Sequence, residues 1–297
     1  MLPNSLFKNF EIYMYGIMIA VGILSCFFIL FKYSRLKGIP DKYTDFTFYN
    51  GICSIIIGFI GSAAWQGVFN YIDDMKNYGE ATFSLNGGIT VIGGLVSGAL
   101  CFILIAFIFR KKIPFAVTRV VHIAPCCMTI AHAFGRLGCF FAGCCYGGEA
   151  TGFFSFLGVS FQPGSPAYRE FGSTPIYPTQ LFEACFLFIL CGVMSYLYLK
   201  KDFKYNFVVY LIAYGIWRFL IEFVRADYRG SFVSGLTPSQ TQSLILIALA
   251  VPAFFLLRHF CAKFEKYKIE KRKAFEEKMA AKLATETEVK QETNENA

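Results

Sequence analysis

The chain is short of charge. Asp, Glu, Lys and Arg make up 16% of its 297 residues, against 56% hydrophobic and 18% aromatic. A soluble domain carries roughly a quarter charged residues, so the deficit argues against an ordinary water-soluble globule. A basic face is also missing. The net charge is +8, but the basic residues sit at the ends of apolar runs and in the C-terminal tail, without interleaved aromatics. Nucleic acid is therefore not an expected partner; membrane orientation and lipid headgroups account for the charge. Among 11 cysteines no Cys-x-x-Cys spacing occurs, and adjacent cysteines are poor joint ligands for one tetrahedral ion. No metal and no cofactor is expected on that ground, although Cys139, Cys144, Cys145 and His132 have a loosely metal-like composition. A disulfide from Cys139 to Cys144 or Cys145 stays open, as does plain packing of small thiols. A cleavable leader is not evident either: Glu11 directly precedes the first apolar run, and no small-residue cleavage pattern follows. No internal repeat and no second soluble domain stand out.

What the chain does have is apolar runs. A membrane-crossing helix needs about 20 mostly apolar residues. Residues 12–31, 46–64, 89–109, 115–131, 181–199, 205–224 and 242–257 are read as such spans, with Pro125 expected to kink the fourth. The expected fold is all-α, a polytopic integral membrane protein of about seven transmembrane helices. Lys32, Arg35, Lys37 and Lys42 follow the first span, Arg110, Lys111 and Lys112 the third, and Lys200, Lys201 and Lys204 the fifth. This alternation places the N-terminus outside and the C-terminus inside. Residues 8–262 are read as a transmembrane catalytic domain and 263–297 as a charged cytoplasmic tail with a helix-friendly first part and a disordered polar end. The stretch from Gly148 to Pro178, rich in Gly, Pro, Ser and Phe, reads as a long outer loop or a short re-entrant segment.

Polar groups inside the apolar runs are then informative. A charge at mid-bilayer costs on the order of 2.5 to 3.5 kcal/mol even on the lenient insertion scale. Tyr214, Arg218, Glu222 and Arg225 nevertheless follow one another at helical spacing in the sixth span. An internal ion pair would account for this; so would a cavity for an anionic headgroup, since guanidinium matches phosphate bidentately. Between the fourth and fifth spans lies a short stretch, His132 to Gly148, holding Arg136, three cysteines and several glycines. It reads as non-helical backbone forming the floor of a site. Arg136 and Arg218 are expected to clamp a phosphate from two sides. Gln180 and Glu183 open the fifth span, where Glu183 favours the helix dipole.

Several motifs together resemble one family. Tyr13-Met14-Tyr15-Gly16, Gly93-Gly94-Leu95, Gly135-Arg136-Leu137-Gly138-Cys139-Phe140, Tyr177-Pro178-Thr179-Gln180-Leu181-Phe182-Glu183 and the run from Tyr214 to Arg225 stand in the order found in bacterial prolipoprotein diacylglyceryl transferases. The resemblance covers roughly residues 8 to 257. It implies a multi-pass enzyme of the bacterial plasma (inner) membrane. Its partners would be phosphatidylglycerol, the preprolipoprotein signal peptide with its lipobox cysteine, and surrounding membrane lipids. It also implies transfer of diacylglyceryl from phosphatidylglycerol to the lipobox thiol. Arg136 and Arg218 would hold the phosphate, and Tyr15, Tyr214 and Glu222 would shape and polarise the site. Gly147, Gln180, Glu183 and Arg225 would line it. The chain departs from the family pattern in three places. Ile92 stands where a histidine precedes Gly-Gly, Cys139 where an asparagine follows Gly-Arg-x-Gly, and Cys144 in place of a later carboxylate. His132 is the candidate replacement base, since imidazole titrates near neutrality. Two other functions stay compatible with the sequence. One is a phospholipid-using membrane transferase with another acceptor. The other is a non-catalytic lipid-binding or thiol redox protein on the same scaffold.

Overall fold

The computed structural model describes residues 5–7, 10–78, 83, 88, 90–226 and 236–295. A small antiparallel hairpin, β1 (Ser5–Phe7) and β2 (Phe10–Tyr13), precedes the helices. The helices follow as α1 (Met14–Leu36), α2 (Asp41–Tyr78), α3 (Val91–Ile108), α4 (Ala116–Val120) and α5 (Ala124–Ala142). α6 (Pro166–Phe171), α7 (Thr179–Lys201), α8 (Asn206–Ile221) and α9 (Pro238–Glu295) complete the chain. Two compact units result, Met1–Val251 and Pro252–Ala297. The polar C-terminal end, expected to be disordered, is helical to Glu295; residues such as Glu, Lys and Ala have good helix propensity, which composition-based disorder signals ignore.

Among the described residues six helices are long and apolar enough to cross a membrane, corresponding to the first, second, third, fifth, sixth and seventh expected spans. The start of the third, at Ile89, lies outside the described residues. The fourth span is corrected. Residues 115–131 are not one kinked helix but the short α4, a turn at 121–123, and the start of α5. Pro125 sits in the first turn of α5, where its missing N–H costs nothing, and so starts this helix instead of bending it. α5 then carries His132 and Arg136 well past the expected end of the span. The stretch from His132 is therefore helical to Ala142, not irregular backbone. Its glycines were read as breakers, but Gly138 serves close packing: a Cβ there would stand 3.0 Å from the Tyr15 ring.

Small residues set the helix contacts elsewhere. A Cβ on Gly22 of α1 would lie 3.0 Å from the Ala131 carbonyl of α5. A Cβ on Gly58 of α2 would meet the Gly94 carbonyl of α3 at 3.1 Å. Backbones approach this closely only without side chains between them, the usual route to tight association in lipid. α5 runs centrally, packed on α1 and α7. Ile29, Leu30, Ile123, Cys126, Leu190 and Met194 form a buried apolar cluster at one end of that packing. The opposite end of α5 is where the polar residues gather. Isolated bridges Gly147–Arg225, Glu149–Ile176 and Val159–Ile176 tie down the segment between α5 and α7 read as a long outer loop or short re-entrant segment. That segment also contains α6 and a 3-10 turn at Gly152–Leu157.

Candidate active site

The site starts from a carboxylate. Glu183 lies three residues after Gln180, within the first turns of α7, and its side chain is 1% exposed. A buried carboxylate needs a cation or hydrogen-bond donors. It has both. Arg136 Nε lies 3.0 Å from Glu183 Oε2, and the Tyr214 hydroxyl donates to Oε1 at 3.0 Å. His132, one turn before Arg136 on α5, places Nε2 3.8 Å from the same Oε1 and accepts from Arg136 Nε at 3.4 Å. The His132 ring meets the Tyr214 ring edge-on at 5.1 Å, and Tyr210 stacks on Tyr214 at 5.5 Å. Three helices, α5, α7 and α8, thus converge on Glu183. The sequence reading gave Glu183 a helix-dipole role and a place in the lining of the site; the structure makes it the hub of the cluster.

A second cluster continues along α8. Arg218 Nη1 lies 3.0 Å from Glu222 Oε2, and Arg225 Nε lies 3.7 Å from that same oxygen. Arg218 Nη2 donates to Ser239 Oγ at 2.6 Å, and Thr237 Oγ1 donates to Glu222 Oε1 at 2.8 Å. All three charged side chains are nearly inaccessible, at 8%, 7% and 2%. α8 ends at Ile221 and tightens into a 3-10 turn over Glu222–Val224, which keeps the polar stripe on one side. Thr237 and Ser239 escaped the sequence reading. Their signal was present in Thr237-Pro238-Ser239-Gln240, a helix start whose hydroxyls are available to neighbours.

Arg136 and Arg218 are each paired within the protein, to Glu183 and Glu222 respectively. Tyr15, in the first turn of α1, lies against Gly138 of α5. Gln180 donates to the Cys144 carbonyl at 2.7 Å, and Gly147 donates its backbone N–H to the Tyr177 carbonyl at 2.9 Å. These two residues fasten the turn after α5 to the start of α7. Gly147 has no room for a side chain: a Cβ would stand 2.8 Å from that carbonyl. Ile92, on α3, is half-exposed.

The three clustered cysteines are brought together by backbone. α5 ends with Gly143 in the left-handed region, φ 64°, while the Cys144 N–H returns to the Cys139 carbonyl at 3.2 Å and the Gly143 N–H to Phe140 at 3.1 Å. This is a Schellman closure of the helix. Cys145 also takes a positive φ, 65°, which is uncommon without glycine. The sulfurs of Cys139, Cys144 and Cys145 lie within 4.8 Å of one another. The sequence reading held adjacent cysteines to be poor joint ligands; the turn at Cys145 removes that objection. We expect Gly143→Ala to destabilise the protein by about 1 to 3 kcal/mol, since a positive φ is costly with a Cβ. That Cβ would also meet Ser165 Cβ at 2.6 Å. Thermal unfolding in detergent measures it, and an unchanged midpoint would contradict the expectation.

An apolar cavity of about 730 Å³ opens between α1, α2, α3 and α5, with walls including Phe27, Leu30, Gly58, Gly98, Phe102 and Cys127. None of the residues lining it is charged, so it suits hydrocarbon and not the polar chemistry.

With this geometry in place, the relatives are informative. Residues 4–256 match the family model for prolipoprotein diacylglyceryl transferase. A phosphatidylglycerol--prolipoprotein diacylglyceryl transferase from Clostridium tetani is 33% identical over 251 residues, covering 82% of this chain and 92% of its own length. A second, from Clostridium perfringens, is 30% identical over 239 residues, covering 80% and 88%. One from Dehalococcoides mccartyi is 29% identical over 249 residues, covering 82% and 88%. A match over most of the chain, with two buried arginine–glutamate clusters inside apolar helices, places this multi-pass membrane protein in the prolipoprotein diacylglyceryl transferase family.

Proposed function

We propose that the chain transfers the diacylglyceryl group of phosphatidylglycerol to the lipobox cysteine thiol of preprolipoproteins, releasing glycerol phosphate. The observation that carries this is the pair of arginine–glutamate clusters, Arg136–Glu183 and Arg218–Glu222–Arg225, buried among largely apolar helices. Buried intramembrane charge is costly and marks function. Arg136 and Arg218 would contact the phosphate, Glu183 and Glu222 holding them in position. Tyr15 and Tyr214 would border the glycerol backbone, with Gly147, Gln180 and Arg225 lining the site. The apolar cavity would receive acyl chains. The protein would lie in the bacterial plasma membrane, N-terminus outside and C-terminus inside, the arrangement the basic loops favour.

Thiol alkylation needs a thiolate, and a free thiol has a pKa near 8.5. His132 has the most open side chain of its cluster, 28% exposed, and would assist deprotonation. A His132→Ala protein should lose about a hundredfold in turnover, the lower end of the range for removing a general base; unchanged turnover would remove His132 from this role. The function itself is tested by complementing a strain depleted of its own transferase. Wild type should restore lipoprotein modification and Arg136→Ala should not. Failure of wild type would count against the proposal, and rescue by both would exclude Arg136 from phosphate binding. Ile92 at the family's histidine position keeps a second acceptor in view. Release of glycerol phosphate with a lipobox peptide, compared with a small thiol, separates the two.

A further inference from the structure

Three thiols converge beside the arginine clusters, and their arrangement is built with some care. Cys139 sits in the last turn of α5. The Schellman closure folds Cys144 back over it, so that Cys144 Sγ lies 3.7 Å from the Cys139 carbonyl. Cys145 then turns through the left-handed region, a conformation costing on the order of 1 to 3 kcal/mol for such a residue. Two side chains from the start of α7 hold that turn: Thr179 Oγ1 donates to the Cys145 carbonyl at 2.8 Å, and Gln180 Nε2 to the Cys144 carbonyl at 2.7 Å. Both are 1% exposed. In extended chain, neighbouring side chains point to opposite faces. Here the strained turn brings all three sulfurs within 4.8 Å, and the three, of intermediate burial, are not joined in a disulfide.

Plain packing does not account for this. Small thiols in a relaxed loop need neither a positive φ nor two buried polar side chains fixing consecutive carbonyls. A metal does account for it. With metal–sulfur bonds of about 2.3 Å, three thiolates around a tetrahedral ion stand roughly 3.8 Å apart. The sulfurs already approach that spacing and need only close by about an ångström. Soft thiolate donors select zinc-class ions over hard cations. Three protein ligands also leave a fourth position open, the mark of a catalytic site and not a closed structural one.

We propose that Cys139, Cys144 and Cys145 bind one zinc-class ion whose open fourth position takes the acceptor thiol. This rests on the transferase reading for the identity of the acceptor, though not for the metal. On coordination the acceptor S–H bond breaks, a metal–sulfur bond forms and the proton leaves to water, because a coordinating thiol is deprotonated outright. The site would supply thiolate where Ile92 replaces the family's histidine.

The full-length protein, purified anaerobically in detergent with a phosphine reductant, should carry about one zinc per chain. Each of Cys139→Ser, Cys144→Ser and Cys145→Ser should lose most of it, while Cys53→Ser, on the lipid-facing side of α2, should retain it. Size-exclusion profiles show which variants stay folded. Cobalt exchanged into wild type gives a second reading that needs no variant. It should show sulfur-to-cobalt charge transfer and intense tetrahedral ligand-field bands. Adding a lipobox peptide with a free cysteine should raise the charge-transfer intensity by about a third, as three thiolates become four. The same peptide with serine should leave it unchanged. Substoichiometric zinc with no cobalt bands would overturn the site, as would a disulfide among the three cysteines in protein isolated without reductant. Full metal loading with no response to the thiol would overturn the acceptor position. Complementation reports on the transferase reading separately, because metal content is measured without substrate.

Discussion

Glu183→Gln should abolish most activity while leaving the protein assembled in the membrane. The substitution keeps the shape and the hydrogen-bonding atoms, so Tyr214 retains a partner. It removes the charge facing Arg136, however, and that guanidinium is mostly buried. Breaking one side of a buried ion pair destabilises by about 3 to 5 kcal/mol, because the surviving charge has no compensation. The unfolding midpoint should fall accordingly, and Arg136 should move toward solvent or bind an adventitious anion. Activity should drop by about a hundredfold or more, since an arginine misplaced by an ångström loses its phosphate geometry. Pairing this change with Arg136→Gln separates the two effects. The double variant should recover part of the stability, because no lone charge is left, and none of the activity. A Glu183→Gln protein that turns over normally would show that the carboxylate does not position Arg136.

Arg218→Lys tests the second cluster. Lysine keeps the charge and loses the planar fork that reaches Glu222 and Ser239 together. An ammonium can satisfy one of these partners at a time from its flexible stem. Turnover should fall by about 30-fold or more, the equivalent of losing one hydrogen-bonded buried charge contact. Expression and midpoint should change little, because the cation remains opposite Glu222. The expected split is a larger loss in kcat/KM than in stability. A lysine variant with wild-type kinetics would mean that only charge at this position matters. A variant that fails to accumulate would be compared with Ser239→Ala, which breaks the same fork from the other side without touching the charge.

Much of this was legible in the sequence, for identifiable reasons. Long apolar runs have one cheap solution in lipid, so the expected spans at 181–199 and 205–224 match α7 and α8 to within a few residues, whereas α1 and α2 run on past the expected ends at 31 and 64 into less apolar sequence. Spacings of four and three put Arg218, Glu222 and Arg225 together without knowledge of anything else in the fold. The fourth span failed because hydropathy penalises His132 and Arg136, which belong inside α5. Their cost is met by Glu183, and that partner lies 47 residues further on. Glycines misled for a related reason. Gly135 and Gly138 look like breakers locally, yet α5 passes through both, and at Gly138 the ring of Tyr15 takes the space a side chain would need. The cysteine cluster was the least readable part. Its geometry depends on one dihedral angle at Cys145 and on carbonyl contacts from Thr179 and Gln180, none of which has a periodic signature.

The first turn of α7 holds Gln180 and Glu183 at a fixed separation. One clamps the cysteine turn, the other holds Arg136. A helix advances about 100° and 1.5 Å per residue, so the two grips are phased like teeth on one gear. Inserting a single alanine between them would swing Glu183 out of register while leaving Gln180 seated. The thiols and the arginine, contributed by the end of α5 and the turn that closes it, would then answer to different clocks. Spacing along this stretch of helix, more than the identity of any lining residue, keeps sulfur and guanidinium in fixed register with one another.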